Sequence, residues 1–135
     1  MATDSDIYNW VSELGMKVNK VTGNFYFHIE VMPPIGEGLK VSVIRTNPNA
    51  TYYIITTAIA LGKVDKKVLK EVKLNLMRMN VEFYFTPPAG EPEGIQIAKL
   101  VFAEGLTKNE FLEKLTLVKN AAYLVAELTS SEEQG

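Results

Sequence analysis

The sequence predicts an α+β domain with three helices and a five-stranded antiparallel sheet, in the order α-β-β-β-α-β-β-α. Two observations carry this. Strand-like segments outnumber helical ones and do not follow the regular strand and helix alternation that builds a parallel sheet. In addition, the stretches "FYFHIEVMPPIGEGLKVSV" and "FYFTPPAGEPEGIQIAKLV" share a Phe-Tyr-Phe run, a Pro-Pro-x-Gly-Glu segment and a second apolar run. Proline at a strand exit removes a ladder donor and glycine before the next strand admits the reversal, so each stretch reads as a hairpin. The shared residues are consistent with an old duplication and equally with convergent hairpin chemistry.

The elements follow in chain order. Ile7, Trp10, Val11 and Leu14 fall at helical spacing, with Thr3 or Ser5 to cap the start and Gly15 to stop the helix. From Phe25 to Met32 the residues alternate: Phe25, Phe27, Ile29 and Val31 share one face, and Tyr26, His28, Glu30 and Met32 the other. Leu39, Val41 and Val43 continue the alternation, "RTNPNAT" supplies turn chemistry, and Tyr52 to Leu61 forms a third strand. Gly62 ends it, Asp65 caps a second helix, and Val68, Leu69, Val72, Leu76 and Met79 form that helix's buried stripe as far as about Asn80. Val81, Phe83 and Phe85 alternate with Glu82, Tyr84 and Thr86, and Ile95 to Phe102 completes the second hairpin. Thr107 opens a capping box with Glu110, Leu106 is placed to pack on Phe111, and the third helix is expected to reach Leu128. Residues 1–128 thus read as one domain and 129–135 as a flexible tail.

Composition narrows the function. Nearly half of the 135 residues are apolar, enough for one real core. No apolar run approaches a membrane span and "MATDSDIYNW" does not read as a leader, so a cytoplasmic location without a membrane partner is expected. The absence of cysteine excludes disulfides, thiolate nucleophiles and cysteine-ligated metals. The net charge of −2 gives no overall pull toward nucleic acid or anionic lipid.

Few residues invite chemistry. His28, the only histidine, projects on the same strand face as Glu30, yet no nucleophile or metal motif accompanies the pair, which reads more simply as two polar groups on a sheet. One histidine without cysteine falls short of a zinc ligand set. Gly36, Gly38, Gly90 and Gly94 form no phosphate-binding sequence, and Glu37, Glu91 and Glu93 are not spaced as a calcium loop. No catalytic residue, metal or cofactor is expected. Lys63, Lys66, Lys67, Lys70 and Lys73 make much of the second helix's exposed face basic, a patch that could meet phosphates but reads first as a solvated surface.

Apolar residues are in surplus elsewhere. "YYIITTAIAL" is apolar or threonine on both faces, as in a strand whose sheet is covered on both sides. Three helices of this length are not expected to cover both faces of five strands. The less-covered face is expected to collect Tyr26, His28, Ile44, Tyr53 and Tyr84, with Phe102 as a further member. The third helix carries Phe111, Leu115, Val118, Ala122 and Val125 on one stripe and Leu117, Ala121, Leu124 and Leu128 on the next, so Leu117, Leu124 and Leu128 are the alternative interface.

With its opening "DIYNWVSELGMKV", an amphipathic helix, a glycine and a strand, and its long helix from Thr107, the chain resembles the type III secretion chaperone-like fold. Within that group it is most similar to YbjN-like and small archaeal domains of unknown function. The resemblance implies a homodimeric, non-enzymatic scaffold that binds a protein or peptide client along apolar surface. The expected function is therefore protein binding by a homodimer, with nucleic-acid or anionic-surface binding through the lysine stripe as the alternative.

Overall fold

Thr3 starts the first helix with a reciprocal cap: its hydroxyl accepts from the Asp6 N–H at 3.1 Å and the Asp6 carboxylate accepts from the Thr3 N–H at 2.9 Å. Helix α1 runs Asp4–Glu13 and is stopped by Gly15 at φ +80°, a left-handed conformation that costs glycine little. Strands β1 (Lys17–Lys20), β2 (Phe27–Met32), β3 (Val41–Arg45) and β4 (Tyr52–Ala60) follow. Helix α2 (Lys66–Met79), strands β5 (Glu82–Thr86) and β6 (Gly94–Phe102) and helix α3 (Lys108–Gln134) complete the chain. The computed structural model describes residues 1–35 and 38–134, and the side chains only as far as residue 130.

The expected α+β class and three helices hold, but the sheet has six strands, not five, in the order β1-β2-β3-β4-β6-β5, every neighbour antiparallel. The added strand is β1, "KVNK", whose only apolar residue is Val18. It lies at an edge and is held by its backbone ladder to β2, Lys17 opposite Met32 through Lys20 opposite Ile29. A strand stabilised by main-chain pairing shows little hydrophobic periodicity. Helix α3 also continues six residues past the expected Leu128, and Thr129 within it is buried, donating to the Val125 carbonyl at 2.9 Å.

Helix α2 carries the chain from β4 to the far edge, where β5 lies parallel to β4 with β6 inserted between them. One cluster of buried side chains joins all three helices to one face of the sheet: Ile7 and Val11 from α1, Val72 and Leu76 from α2, and Phe111 through Val125 from α3. They meet Ile29, Val31, Val43, Tyr53, Ile55, Ile95 and Ile97 from the strands. The described residues thus form two layers, the sheet and the helices packed on one of its faces.

The Pro-Pro loops terminate strands. A Cβ on Gly38 would lie 2.5 Å from Cγ of Pro33, and Gly90 sits at φ +88°, so turn geometry accounts for the glycines. Gly36 and Glu37 lie outside the described residues. The Thr86–Pro87 peptide bond is cis.

Candidate functional site

Register fixes the residues of the uncovered face. His28 lies opposite Ile44, Ile44 opposite Ile54 and Ile54 opposite Leu100, forming one row across four strands. Tyr52 opposite Phe102 extends it toward one end. Above this apolar band runs a polar row: Glu30, Ser42, Thr56, Ala98 and Glu82. Beyond it, Ala58, Gln96 and Tyr84 form a third row. Tyr84, Leu100 and Phe102 are 58, 41 and 65% exposed, which large apolar groups are not when a layer covers them. Ile44 is buried between its strand neighbours His28 and Ile54 and lies outside the core cluster beneath the helices.

Thr56 and Ser42 of the polar row bond to neighbours on either side of it. The Thr56 hydroxyl donates to the Ile97 carbonyl at 2.8 Å and accepts from the Gln96 side-chain amide at 2.6 Å. His28 Nε2 and Ser42 Oγ are 3.0 Å apart, a pairing the sequence does not announce, because Ser42 is fourteen residues away and becomes a neighbour only through register. Phe25 packs edge-on against the His28 ring. His28 also borders a cavity of about 400 Å³ between α1 and the β1–β2 turn, lined by Asp4, Ser5, Tyr8, Lys20 and Tyr26 among others. Glu30 does not line it. Among the described residues no group of three or more His, Asp or Glu side chains gathers to hold a metal ion.

Of the residues expected on the open face, Tyr26 is turned toward the α1 side, its ring centroid 4.6 Å from the Arg45 guanidinium and in the wall of the cavity beside α1, whereas His28, Ile44 and Tyr84 lie on the face, with Tyr84 separated from the others by the polar row. Tyr53 does not. It is 1% exposed on the helix-covered face, edge-on to Phe27, and its hydroxyl donates to Asp4 Oδ1 at 2.6 Å. Strand β4 reads as apolar on both faces, so its phase is set by pairing with β3 and β6 and by this hydrogen bond, none of which is local. The residues that the other phase places outside are Tyr52 and Ile54; Leu100 belongs to the same band.

Tyr53 is part of a polar cluster that ties α1 to the sheet. Arg45 grips the Asp4 carboxylate with Nε at 2.9 Å and Nη2 at 2.7 Å, and its Nη1 donates to the carbonyls of Asn47 and Pro48. Burial alone would raise the Asp4 carboxyl, but hydrogen bonds from Arg45 and Tyr53 together with the Arg45 charge hold it below its ordinary value. Burial and then Asp4 push the Tyr53 phenol far up. The arrangement fixes α1 to the sheet. Among the described residues, no buried side-chain nitrogen or oxygen lacks a partner.

The helical alternative is less open than its spacing implies. Leu117 and Leu128 pack against the core cluster, and Leu124 is half-buried. The lysines of α2 are exposed, with Lys73 Nζ 5.5 Å from the Phe85 ring centroid. No helix among the described residues is long and apolar enough to cross a membrane.

A family profile described as "Uncharacterized conserved protein (DUF2299)" matches residues 3–129. No curated protein matches the chain. Among solved structures, an uncharacterized protein from Methanothermobacter thermautotrophicus superposes with a TM-score of 0.82 at 19% identity, covering 96% of this chain and 97% of that one. YbjN from E. coli, described provisionally as a transcription regulator, superposes with a TM-score of 0.59 at 10% identity, covering 98% and 93%. At these identities the likeness is one of fold, and it agrees with the resemblance to YbjN-like and archaeal domains read from the sequence.

Proposed function

We propose that this chain, which belongs to the DUF2299 family of uncharacterized conserved proteins, is a non-catalytic protein-binding module whose open sheet face pairs with a second copy of itself. The carrying observation is the band of Tyr52, Ile54, Leu100 and Phe102, with Ile44, on a sheet face that no helix covers among the described residues. Nine-residue strands at about 3.3 Å per residue and six strands about 4.8 Å apart give a face on the order of 500–700 Å² once the short edge strands are allowed for. That approaches the roughly 800 Å² per partner of a standard interface. The composition fits too: an aromatic and aliphatic band beside hydrogen-bonded Thr56, Gln96, His28 and Ser42, with Glu30 and Glu82 in the flanking row. The resemblance to the secretion chaperone-like fold read from the sequence implies the same reading.

Sedimentation at micromolar concentration tests it. The expected result is a dimer for the native chain and a folded monomer for Leu100→Asp; a native chain that stays monomeric overturns the proposal.

A further inference from the structure

The exposed face of α2 combines two features that a solvated helix does not need. Its fourteen residues hold Lys66, Lys67, Lys70, Lys73 and Arg78 against the single acid Glu71, in a chain whose net charge is −2. Lys66 and Lys67 occupy the first turn, where the helix dipole favours acids, so local helix energetics do not account for them. The second feature is apolar. Leu74 and Met77 are 43 and 66% exposed within the basic surface. Lys70, Leu74 and Met77 follow at spacings of four and three, as do Lys66, Lys70 and Lys73, and Arg78 lies four residues after Leu74. The apolar pair is therefore flanked by cations on both sides.

We infer that this face docks α2 flat on an anionic lipid bilayer, with the lysine and arginine head groups on lipid phosphates and Leu74 and Met77 entering the headgroup boundary. Lysine stems lie along apolar surface while their ammonium groups stay in the polar layer, which suits a bilayer interface. A nucleic-acid backbone rewards the charges but gives exposed leucine and methionine no apolar phase, and α2 itself carries no aromatic side chain on which a base would stack, the neighbouring Phe85 ring being half-buried with Lys73 over it. A depression of about 440 Å³ lined by Lys66, Leu69, Lys70 and Lys73 places three cations around one apolar side chain, a fit for a phosphate-bearing headgroup. The larger neighbouring cavity, about 980 Å³, is lined by Asp65, Glu91 and Glu93 as well as Lys63 and Lys66, a balance of charge that suits an anion less well than the α2 depression does. The helix layer lies on the opposite side of the sheet from the open face, so bilayer docking and self-association do not compete.

Co-sedimentation of the full chain with vesicles tests this, using phosphatidylcholine alone and phosphatidylcholine with about 30% phosphatidylserine. Expected is partition onto the anionic vesicles only, weakening at least about tenfold between ~50 and ~300 mM salt. A Lys70→Glu/Lys73→Glu variant should lose it. A Leu74→Ser/Met77→Ser variant, unchanged in charge, should bind at least about threefold more weakly, the loss of apolar insertion, while Leu100→Asp should bind as the native chain does. The inference is overturned by absence of partition onto anionic vesicles, by unchanged binding of Leu74→Ser/Met77→Ser, or by RNA or duplex DNA binding more tightly than the vesicles at equal salt.

Discussion

At the residue scale the decisive side chain is Asp4. It receives Arg45 in a two-point grip and Tyr53 at 2.6 Å, and so links the first turn of α1 to β3 and β4. Tyr53→Phe keeps the ring against Phe27 and deletes only the hydroxyl, so it should cost about 1.5 kcal/mol in urea unfolding, the scale of a hydrogen bond to a charged group. Asp4→Asn leaves a half-buried guanidinium without its counter-charge and should cost about 2 kcal/mol, below the value for a fully buried pair because solvent still reaches both groups. Asp4 also makes stability depend on pH. Its carboxyl is held below the ordinary 3.8, so the folded state favours the ionised form; the stability it contributes is present above 3.8 and is lost as pH falls below that value. The gap in urea midpoint between the native chain and Asp4→Asn should therefore shrink from about pH 6 to about pH 3. A constant gap would mean the carboxylate charge is not what stabilises the contact.

At the element scale, helix ends and buried stripes were legible because their signals are local. Thr3, Asp65 and Thr107 each accept from a backbone N–H three residues on, as their types and spacing imply. The end of α2 depends on Asn80, left-handed at φ 59°, which closes the helix by donating to the carbonyls of Leu76 and Met77. Asn80→Ala should cost about 1 kcal/mol, since a Cβ is strained there and alanine lacks asparagine's tolerance for it. Asn80→Gly should be neutral or stabilising by up to ~0.5 kcal/mol, read from thermal midpoints. Strand β1 was not legible from periodicity, because a four-residue edge strand with one apolar side chain is specified by its partner's backbone; only the resemblance carried by "DIYNWVSELGMKV" implied a strand after Gly15. Helix α3 ran past its expected end at Leu128, and Thr129 there is buried with its hydroxyl satisfied by the Val125 carbonyl inside the helix.

At the scale of the whole molecule, the two-layer architecture governs the functional reading. Self-association through the open face predicts that the thermal midpoint rises with protein concentration, because binding only the folded state adds to apparent stability. It also predicts a gradient among charged variants. Phe102→Glu, in the apolar band, should dissociate the dimer by at least about tenfold in Kd, a loss of about 1.4 kcal/mol or more. Tyr84→Asp, beyond the polar row, should do less, and Leu124→Asp, on the helix side, should leave association unchanged. Equal effects at Phe102 and Leu124 would move the interface to α3.

By itself the sequence determined the fold class, the three helices, the two Pro-Pro hairpins and the presence of unpartnered apolar surface on the sheet, because caps, turns and alternating patterns act over a few residues. The side of the sheet on which each β4 residue falls was decided only by tertiary structure. "YYIITT" is acceptable in either phase, and the choice rests on ladders to β3 and β6 and on one carboxylate forty-nine residues away. That choice took Tyr53 into the core and left Tyr52 and Ile54 beside Leu100 and Phe102. Long-range pairing, which leaves no local trace in the chain, thereby set the composition of the face on which the proposed function depends.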